Sequence, residues 1–284
     1  MSRSRILDRR ALFSSAAAAA LLAATGVSAA GPKRGGRLRM ALSGASRSDT
    51  WGQGHGLFMQ VARQGLVFDT LTEVAADGTL RPELAIGWTS SVDATVWTFD
   101  LRKDVTFHDG KPFTAADVVA SAAGFENGTV GATGAHQVTF SLYHPDAGLP
   151  LRLAQPEFYI SAAHAMGQGI GTGLYRLASF VPGQRLLTER VAAHYKDGTA
   201  GWFDEVELTS IPSETVRGQA LGEYMVDAVD LREAGALTGM PDISFQPDRR
   251  HPTQAVSAEV AQPAQVSHLR PLDNLRAAER WWFA

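Results

Sequence analysis

The sequence contains no cysteine among its 284 residues. Disulfide frameworks, thiol nucleophiles and thiolate metal ligands are therefore excluded, although a cysteine-free chain suits either redox compartment. Charged residues are few, at 19%, and 26 basic against 29 acidic side chains give a net charge of −3. Because the chain has no excess of basic charge to attract phosphates, we expect no nucleic-acid partner.

Long hydrophobic runs are also missing after residue 29, so we expect no membrane-spanning helix in the mature chain. The first 29 residues instead predict an export signal. Four arginines precede an uncharged run from Ala11 to Ala24, and small residues surround Ala29. The pair Arg9-Arg10 resembles a twin-arginine signal, with an ordinary Sec signal as the alternative. We therefore expect cleavage near Ala29 and a periplasmic location.

The remaining chain alternates between the patterns of strands and helices. Period-2 alternation predicts strands over 37–42, 96–101 and 138–142. The alternation resumes at Val105 and Phe107, which predicts a further strand after a short connection. Residues 174–177 and 185–190 predict two strands joined by a turn at Pro182-Gly183, and Val206, Leu208 and Ile211 predict a further strand. Thr114 and Asp117 predict a capping box at the start of one helix, and Ser213 predicts the N-cap of another. The pattern indicates an α/β fold.

Three segments predict irregular structure. Residues 80–88 form a short apolar segment without clear periodicity, and the glycines between 124 and 134 indicate a loop. From about Gly235 the chain gathers prolines, which indicates a loop-like stretch up to Leu275. The glycine run 167–173 lacks the spacing and the following helix of a dinucleotide-binding loop, so it predicts no phosphate site.

Residues 97–119 read WTFDLRKDVTFHDGKPFTAADVV. This block resembles the signature of the family 5 extracellular solute-binding proteins, which are the dipeptide, oligopeptide and nickel receptors of ABC importers. Further similarity lies in FDTL at 68–71, in GTGLYRL at 171–177, and at Ile211-Pro212 before the second helix. The resemblance covers the chain from Gly35 to about Leu231.

The resemblance implies a fold like that of type II periplasmic binding proteins, with a mixed sheet and a smaller inserted second domain. It assigns 30–49 plus 167–231 to the first domain, 50–166 to the second, and 232–284 to a Pro-rich tail. Family members carry a third domain after the segment that here ends near Leu231, and we expect this domain to be missing. The acidic residue that pairs with a peptide's α-amino group comes from that lobe, so no residue here inherits the role.

The implied function is non-catalytic. We expect a periplasmic, monomeric solute-binding component that holds a small solute or peptide without covalent chemistry and presents it to an inner-membrane ABC permease. The alternative is an exported accessory module that binds a partner protein without capturing a solute. A hydrolase is a third possibility, but the sequence has no G-x-S-x-G elbow to support it.

The candidate ligand contacts are Trp51, His55 and Trp88, which we expect between the two domains, where aromatic faces and nearby glycines admit a solute. For His108 a structural role in a turn is the simpler interpretation. No two histidines have the i, i+4 spacing of a helical metal site, so we expect no metal and no cofactor. The aromatic group Trp281-Trp282-Phe283 predicts either packing over the sheet or contact with a partner.

Overall fold

The computed structural model describes residues 34–74, 79–232, 235–240, 243–246 and 253–257. The expected export signal and the aromatic group at 281–283 lie outside these residues. The strands are β1 Arg37–Leu42, β2 Thr72–Val74, β3 Leu80–Pro82, β4 Ala85–Ser90, β5 Val96–Leu101, β6 Gly128–Gly134, β7 Gln137–Leu142, β8 Tyr175–Val181, β9 Arg185–Arg190, β10 Glu205–Ser210, β11 Ala228–Leu231, β12 Ile243–Gln246 and β13 Thr253–Ser257.

The helices are short. They are α1 Leu57–Val61, which continues as a π-helix over Ala62–Val67, then α2 Ala115–Ser121, α3 Leu149–Arg152 and α4 Glu214–Gly222. Single 3-10 turns lie at Pro156–Phe158, Ala163–Ala165 and Gly235–Gly239. Within the described part of the chain, no helix has the length and apolarity needed to cross a bilayer.

The larger sheet has seven strands in the order β12-β13-β11-β1-β10-β9-β8. β1 runs parallel to both β10 and β11, while the remaining neighbours pair antiparallel. Leu38, Met40 and Leu42 pack into one buried cluster, and Ala41 between them packs into another with Leu221 of α4. This alternation puts apolar side chains on both faces of β1, as a central strand of a mixed α/β sheet requires. The predicted fold class is confirmed.

The smaller sheet is antiparallel, with the order β4-β5-β7-β6, and β2 and β3 form a separate two-stranded pair. Trp97, Phe99 and Leu101 alternate inward along β5 and pack against the buried side chains of β7. The predicted period-2 strands at β5 and β7 are therefore confirmed, and α2 packs over their apolar face.

Both predicted helix caps are present. The carboxylate of Asp117 accepts hydrogen bonds from the Thr114 backbone N–H and hydroxyl at 2.9 Å, which completes a capping box at the start of α2. The Ser213 hydroxyl accepts from the N–H of Val216 at the start of α4. Each cap satisfies backbone donors that a helix leaves free in its first turn.

Two of the local predictions in this region are wrong. Val105 and Phe107 lie in no strand; only an isolated bridge joins Thr106 to Pro112, because both edges of β5 are already paired with β4 and β7. Residues 80–88, expected to be irregular, contain β3 and β4. The sequence pattern did not predict β4, because a bulge between Ala85 and Gly87 breaks the alternation of apolar and polar side chains along this strand.

Two expected loops also contain strands. The glycines from 128 to 134 form β6, an edge strand, where a Cβ at Gly128 would collide with the carbonyl oxygen of Ser141. In the proline-rich stretch, β12 and β13 extend the larger sheet beyond β11. Pro247 and Pro252 fall between these two strands in the sequence and lie outside the described residues.

The two main apolar clusters follow the two sheets. Residues of α1 and the π-helix, up to Phe68, pack with the larger sheet, whereas Leu71 and most buried apolar side chains up to Ala165 pack with the smaller one. The change from one cluster to the other therefore falls between Phe68 and Leu71, inside the range 50–166 that the resemblance assigned to a second domain. The division into domains stays a prediction.

Candidate functional site

The carboxyl ends of the parallel strands β1, β10 and β11 meet at one edge of the larger sheet. In open α/β sheets this edge is where ligands bind, because loops from neighbouring strands open a crevice there. The segments that leave this edge are 43–56 after β1, 211–213 after β10 and Arg232 after β11. We call residues 43–56 the edge loop.

A buried ion pair fixes the base of this edge. Asp230 of β11 is 0% exposed and Arg217 of α4 is 3% exposed, and the Arg217 guanidinium lies 3.2 Å from the Asp230 carboxylate. Asp230 also accepts from the backbone N–H of Ser43 at 2.8 Å and from its hydroxyl at 2.6 Å. The carboxylate thereby joins the first residue of the edge loop to strand β11.

Arg217 extends the connection to the third strand. Its guanidinium donates to the carbonyl oxygens of Asp230, Ile211 and Pro212, at 2.9, 2.6 and 3.0 Å. The N–H of Ile211 in turn donates to the carbonyl oxygen of Leu42. The exits of β1, β10 and β11 are thus joined by hydrogen bonds, which holds the backbone at this edge in one arrangement.

The edge loop is itself tightly held. Asp49 is 5% exposed and accepts from the Ser46 N–H at 2.7 Å, while Thr50 and Gln53 pair through their backbones. A Cβ on Gly56 would collide with the carbonyl oxygen of Gly44, so the two ends of the loop touch through bare backbone. Only glycine at position 56 permits that approach.

Arg63 of the π-helix holds the centre of the edge loop. Its guanidinium donates to the carbonyl oxygens of Thr50 and Gln53, at 3.3 and 2.6 Å, and lies over the ring of Tyr159. Burial lowers the pKa of Arg63 and raises the pKa of the Tyr159 hydroxyl. The Tyr159 hydroxyl donates to the carbonyl oxygen of Trp51 at 2.8 Å, which fixes the loop from a second direction.

Trp51 is 5% exposed, and its ring packs against Phe68 and Phe180 with centroid separations of 5.4 and 5.2 Å. A Cβ on Gly169 would lie 2.7 Å from the indole nitrogen, so the glycine run passes directly over the ring. His55 is exposed, and its carbonyl oxygen accepts from the Gln60 side chain at 2.7 Å. Trp51 and His55 thus share the edge loop, one buried within it and the other on its surface.

Trp88 lies elsewhere. It belongs to β4, is half-buried, and packs against Phe99 in the cluster of the smaller sheet. Trp51 and Trp88 therefore belong to different apolar clusters. Contact with a solute stays a prediction for all three residues.

The glycine run 167–173 is packed between the two clusters. Cβ atoms on Gly171 and Gly173 would collide with the carbonyl oxygens of Val67 and Leu66. On the other side, the His108 N–H donates to Gly171 at 2.9 Å and its ring nitrogen Nε2 contacts the Gly173 carbonyl oxygen at 2.8 Å. Burial lowers the pKa of His108. The run is glycine-rich because backbone packs on backbone, and His108 has the structural contact that the sequence indicated.

A second buried polar group lies beside this run. Lys196 Nζ contacts Glu83 at 2.6 Å and Glu73 at 2.9 Å, and Thr172 donates to Asp69 at 2.9 Å. The neighbouring Tyr195 ring stacks on His194, and burial holds the pKa of its hydroxyl well above the usual range. Among the described residues no group of three or more metal-ligating side chains has the arrangement of a metal site.

Sequence reasoning missed the residues that build the edge. Asp230 contacts Ser43 across 187 positions and Tyr159 contacts Trp51 across 108 positions, while Arg63 and Arg217 contact backbone carbonyl oxygens that no sequence pattern indicates. One signal was available, because Asp230 is the only charge in the otherwise apolar strand Ala228–Leu231. A charge buried in a strand requires a partner.

Comparison with known proteins shows what the chain is similar to. Residues 79–255, more than half of the chain, match the family model described as "Bacterial extracellular solute-binding proteins, family 5 Middle". The nickel-binding periplasmic protein of Escherichia coli strain K12 is 46% identical over 56 residues, which is 20% of this chain and 11% of that protein.

Solved structures share the fold over a longer range. The periplasmic binding protein AgaA of A. tumefaciens R10, in complex with agropinic acid, matches with a TM-score of 0.66 and 25% identity, covering 74% of this chain and 47% of that one. DppA of Helicobacter pylori, in complex with the peptide STSA, matches with a TM-score of 0.64 and 22% identity, covering 75% and 50%. The chain thus spans about half the length of these structural relatives.

Proposed function

The chain belongs to the family 5 bacterial extracellular solute-binding proteins, and from this premise we propose that it binds a small solute outside the cytoplasm and delivers it to an inner-membrane ABC permease. No covalent step is involved, and no residue acts as a catalyst. The family match over 79–255 is the observation that carries the proposal. The relatives named above bind nickel, agropinic acid or a peptide, so we propose that the solute of this chain belongs to one of these chemical classes.

We assign solute contact to the edge loop. Support comes from its position at the carboxyl ends of the parallel strands, where α/β sheets bind ligands. Support also comes from its preorganisation, because a loop already held by Asp230, Arg63 and Tyr159 loses little conformational entropy when a solute binds. Exposed His55 would contact the solute directly, and buried Trp51 would position the backbone beside it. Trp88, in the other cluster, is the weakest of the three assignments.

The test is a thermal-shift screen of the purified protein against dipeptides, oligopeptides, nickel chelates and opines. A ligand at a hundred times its dissociation constant stabilises the protein by about 2.7 kcal/mol, which corresponds to a rise in Tm of several degrees. A shift with one class of compound identifies the solute. A folded sample with no shift in any class would contradict solute capture and favour the accessory, partner-binding alternative.

The placement at the edge loop has its own test. His55→Ala is expected to weaken binding of the solute found in the screen by tenfold or more, which is about 1.4 kcal/mol. His144→Ala is the matched control, because His144 is also exposed but follows β7 of the smaller sheet. Equal affinities for His55→Ala, His144→Ala and the unchanged protein would remove the edge loop from the site, without affecting the screen.

A further inference from the structure

A cavity of about 420 Å³ lies where the turn after β5 meets the ends of β8 and β9. Thr106, Phe107 and His108 form one wall, and residues 172–173 and 190–194 form the other. The first wall belongs to the part of the chain that packs on the smaller sheet, and the second is continuous with the larger sheet. The volume is within the range of about 300–1,000 Å³ that is typical of small-molecule sites.

All the ionisable groups that line the cavity are basic. They are Arg176, Arg190, His108 and His194, and there is no aspartate or glutamate among the described lining residues. The carboxylate partners of the two arginines, Glu189 and Asp197, are not part of the lining. Asp69, whose carboxylate lies 3.7 Å from the His194 ring, is also not part of the lining, so the described lining presents basic groups and no carboxylate, which favours an anion.

The two arginines differ in how firmly they are held. Arg190 donates to the carbonyl oxygens of Gly201 and Val191 and pairs with Asp197 at 2.5 Å, so its guanidinium is fixed. Arg176 makes one ion pair, with Glu189 at 2.8 Å, between side chains that are 58% and 44% exposed. An ion pair that exposed contributes about 0–1 kcal/mol, so Arg176 is free to turn toward a ligand.

The two histidines of the lining, one on each wall, both contact residues of the glycine run. The ring nitrogens Nε2 of His108 and His194 contact the carbonyl oxygens of the adjacent residues Gly173 and Thr172, at 2.8 and 2.9 Å. The Thr172 hydroxyl donates to Asp69. Both imidazoles are therefore held against residues 172 and 173, which preorganises this part of the lining.

We infer that this cavity binds a small oxyanion carrying carboxylate or phosphate groups. Three observations support this: the ionisable lining residues are basic, the volume suits a small molecule, and the lining holds one fixed arginine, Arg190, beside one that can move, Arg176. The guanidinium of Arg190 is already in place to contact the anion, whereas Arg176 would break its exposed ion pair with Glu189 and pair with the ligand instead. Bound between the two walls, the oxyanion would also tie the two parts of the chain together. This site is separate from the edge loop and goes beyond the proposed function.

The test is isothermal titration calorimetry with succinate and with inorganic phosphate at constant ionic strength. We expect saturable binding of at least one probe with a dissociation constant below about 1 mM. Comparing the two probes distinguishes a carboxylate ligand from a phosphate ligand. Arg176→Gln is expected to weaken the binding by about tenfold, which is about 1.4 kcal/mol, because one charge-assisted contact to the anion is lost.

Arg185→Gln provides the matched control. Arg185 lies on β9, pairs with Glu207 at 2.6 Å with 45% of its side chain exposed, and does not line the cavity. It is expected to bind the probes within twofold of the unchanged protein. Absence of saturable binding by both probes, or equal weakening by Arg176→Gln and Arg185→Gln, would overturn the inference. An unchanged Tm in both variants verifies that each remains folded.

Discussion

Removing the carboxylate of Asp230 tests whether the edge of the larger sheet is built as described. Asp230→Ala leaves the guanidinium of Arg217 buried, at 3% exposure, without the carboxylate it faces at 3.2 Å. It also removes the acceptor of the Ser43 N–H and hydroxyl. Breaking a buried pair from one side costs about 3–5 kcal/mol, because the remaining charge keeps its desolvation penalty.

For a chain of this size, that loss corresponds to a fall in Tm of about 6–20 °C. Chemical denaturation followed by tryptophan fluorescence measures the free energy of unfolding directly. Ser43→Ala serves as a graded control, because it removes one hydrogen bond to Asp230 and leaves the ion pair, so it is expected to cost about 1.5–3 kcal/mol.

The double variant Arg217→Ala/Asp230→Ala completes a thermodynamic cycle. If the two charges stabilise each other, the double variant costs less than the sum of the single variants by about 1–3 kcal/mol. Additive costs within about 0.5 kcal/mol would refute a direct interaction. If Asp230→Ala lowered the free energy of unfolding by less than about 1 kcal/mol, the variant would not leave a buried unpaired charge, and Asp230 would not hold the edge of the sheet together.

Three other predictions concern Gly171, Asp117 and His108. Gly171→Ala is expected to lower stability by about 1–3 kcal/mol, because the new methyl collides with the Val67 carbonyl oxygen, whereas Gly131→Ala, with open space around it, should leave Tm nearly unchanged. Asp117→Ala removes the Thr114 capping contacts and the acceptor of the Ala163 N–H, so we expect denaturation to show a cost of at least about 1 kcal/mol, and no cost would contradict the capping box. Burial lowers the pKa of His108 in the folded protein, so the stability that neutral His108 provides is complete above its ordinary pKa of about 6.5. That stability is lost as the pH falls below this value toward the lower pKa of the folded state. His108→Gln should flatten the dependence of the free energy of unfolding on pH in this range, and an unchanged slope would contradict the prediction.

The sequence determined the elements that rest on local patterns. The strands β1, β5, β7, β9 and β10 and both helix caps depend on residues within about ten positions of one another, and they were predicted correctly. The resemblance in residues 97–119 also predicted the mixed sheet, and the family match agrees with it. These features follow from alternation and capping, which are properties of neighbouring residues.

The elements that were missed depend on a partner elsewhere. β6 is a strand because β7 offers a free edge to a glycine-rich segment, and Thr106 is not in a strand because β4 and β7 already occupy both edges of β5. β13 forms beside β11 although the stretch around it is rich in proline. Strand pairing is decided by tertiary contacts, so local composition was a poor guide in each case.

The same division holds for the candidate site. The sequence drew attention to Trp51 and His55, which do share the edge loop, but it gave no reason to separate them from Trp88. Only the tertiary structure brings Asp230 to Ser43, across 187 positions, and the Tyr159 hydroxyl to the carbonyl oxygen of Trp51, across 108 positions. A buried charge has to find its partner wherever the fold supplies one, and that choice is made by three-dimensional packing rather than by neighbours in the chain.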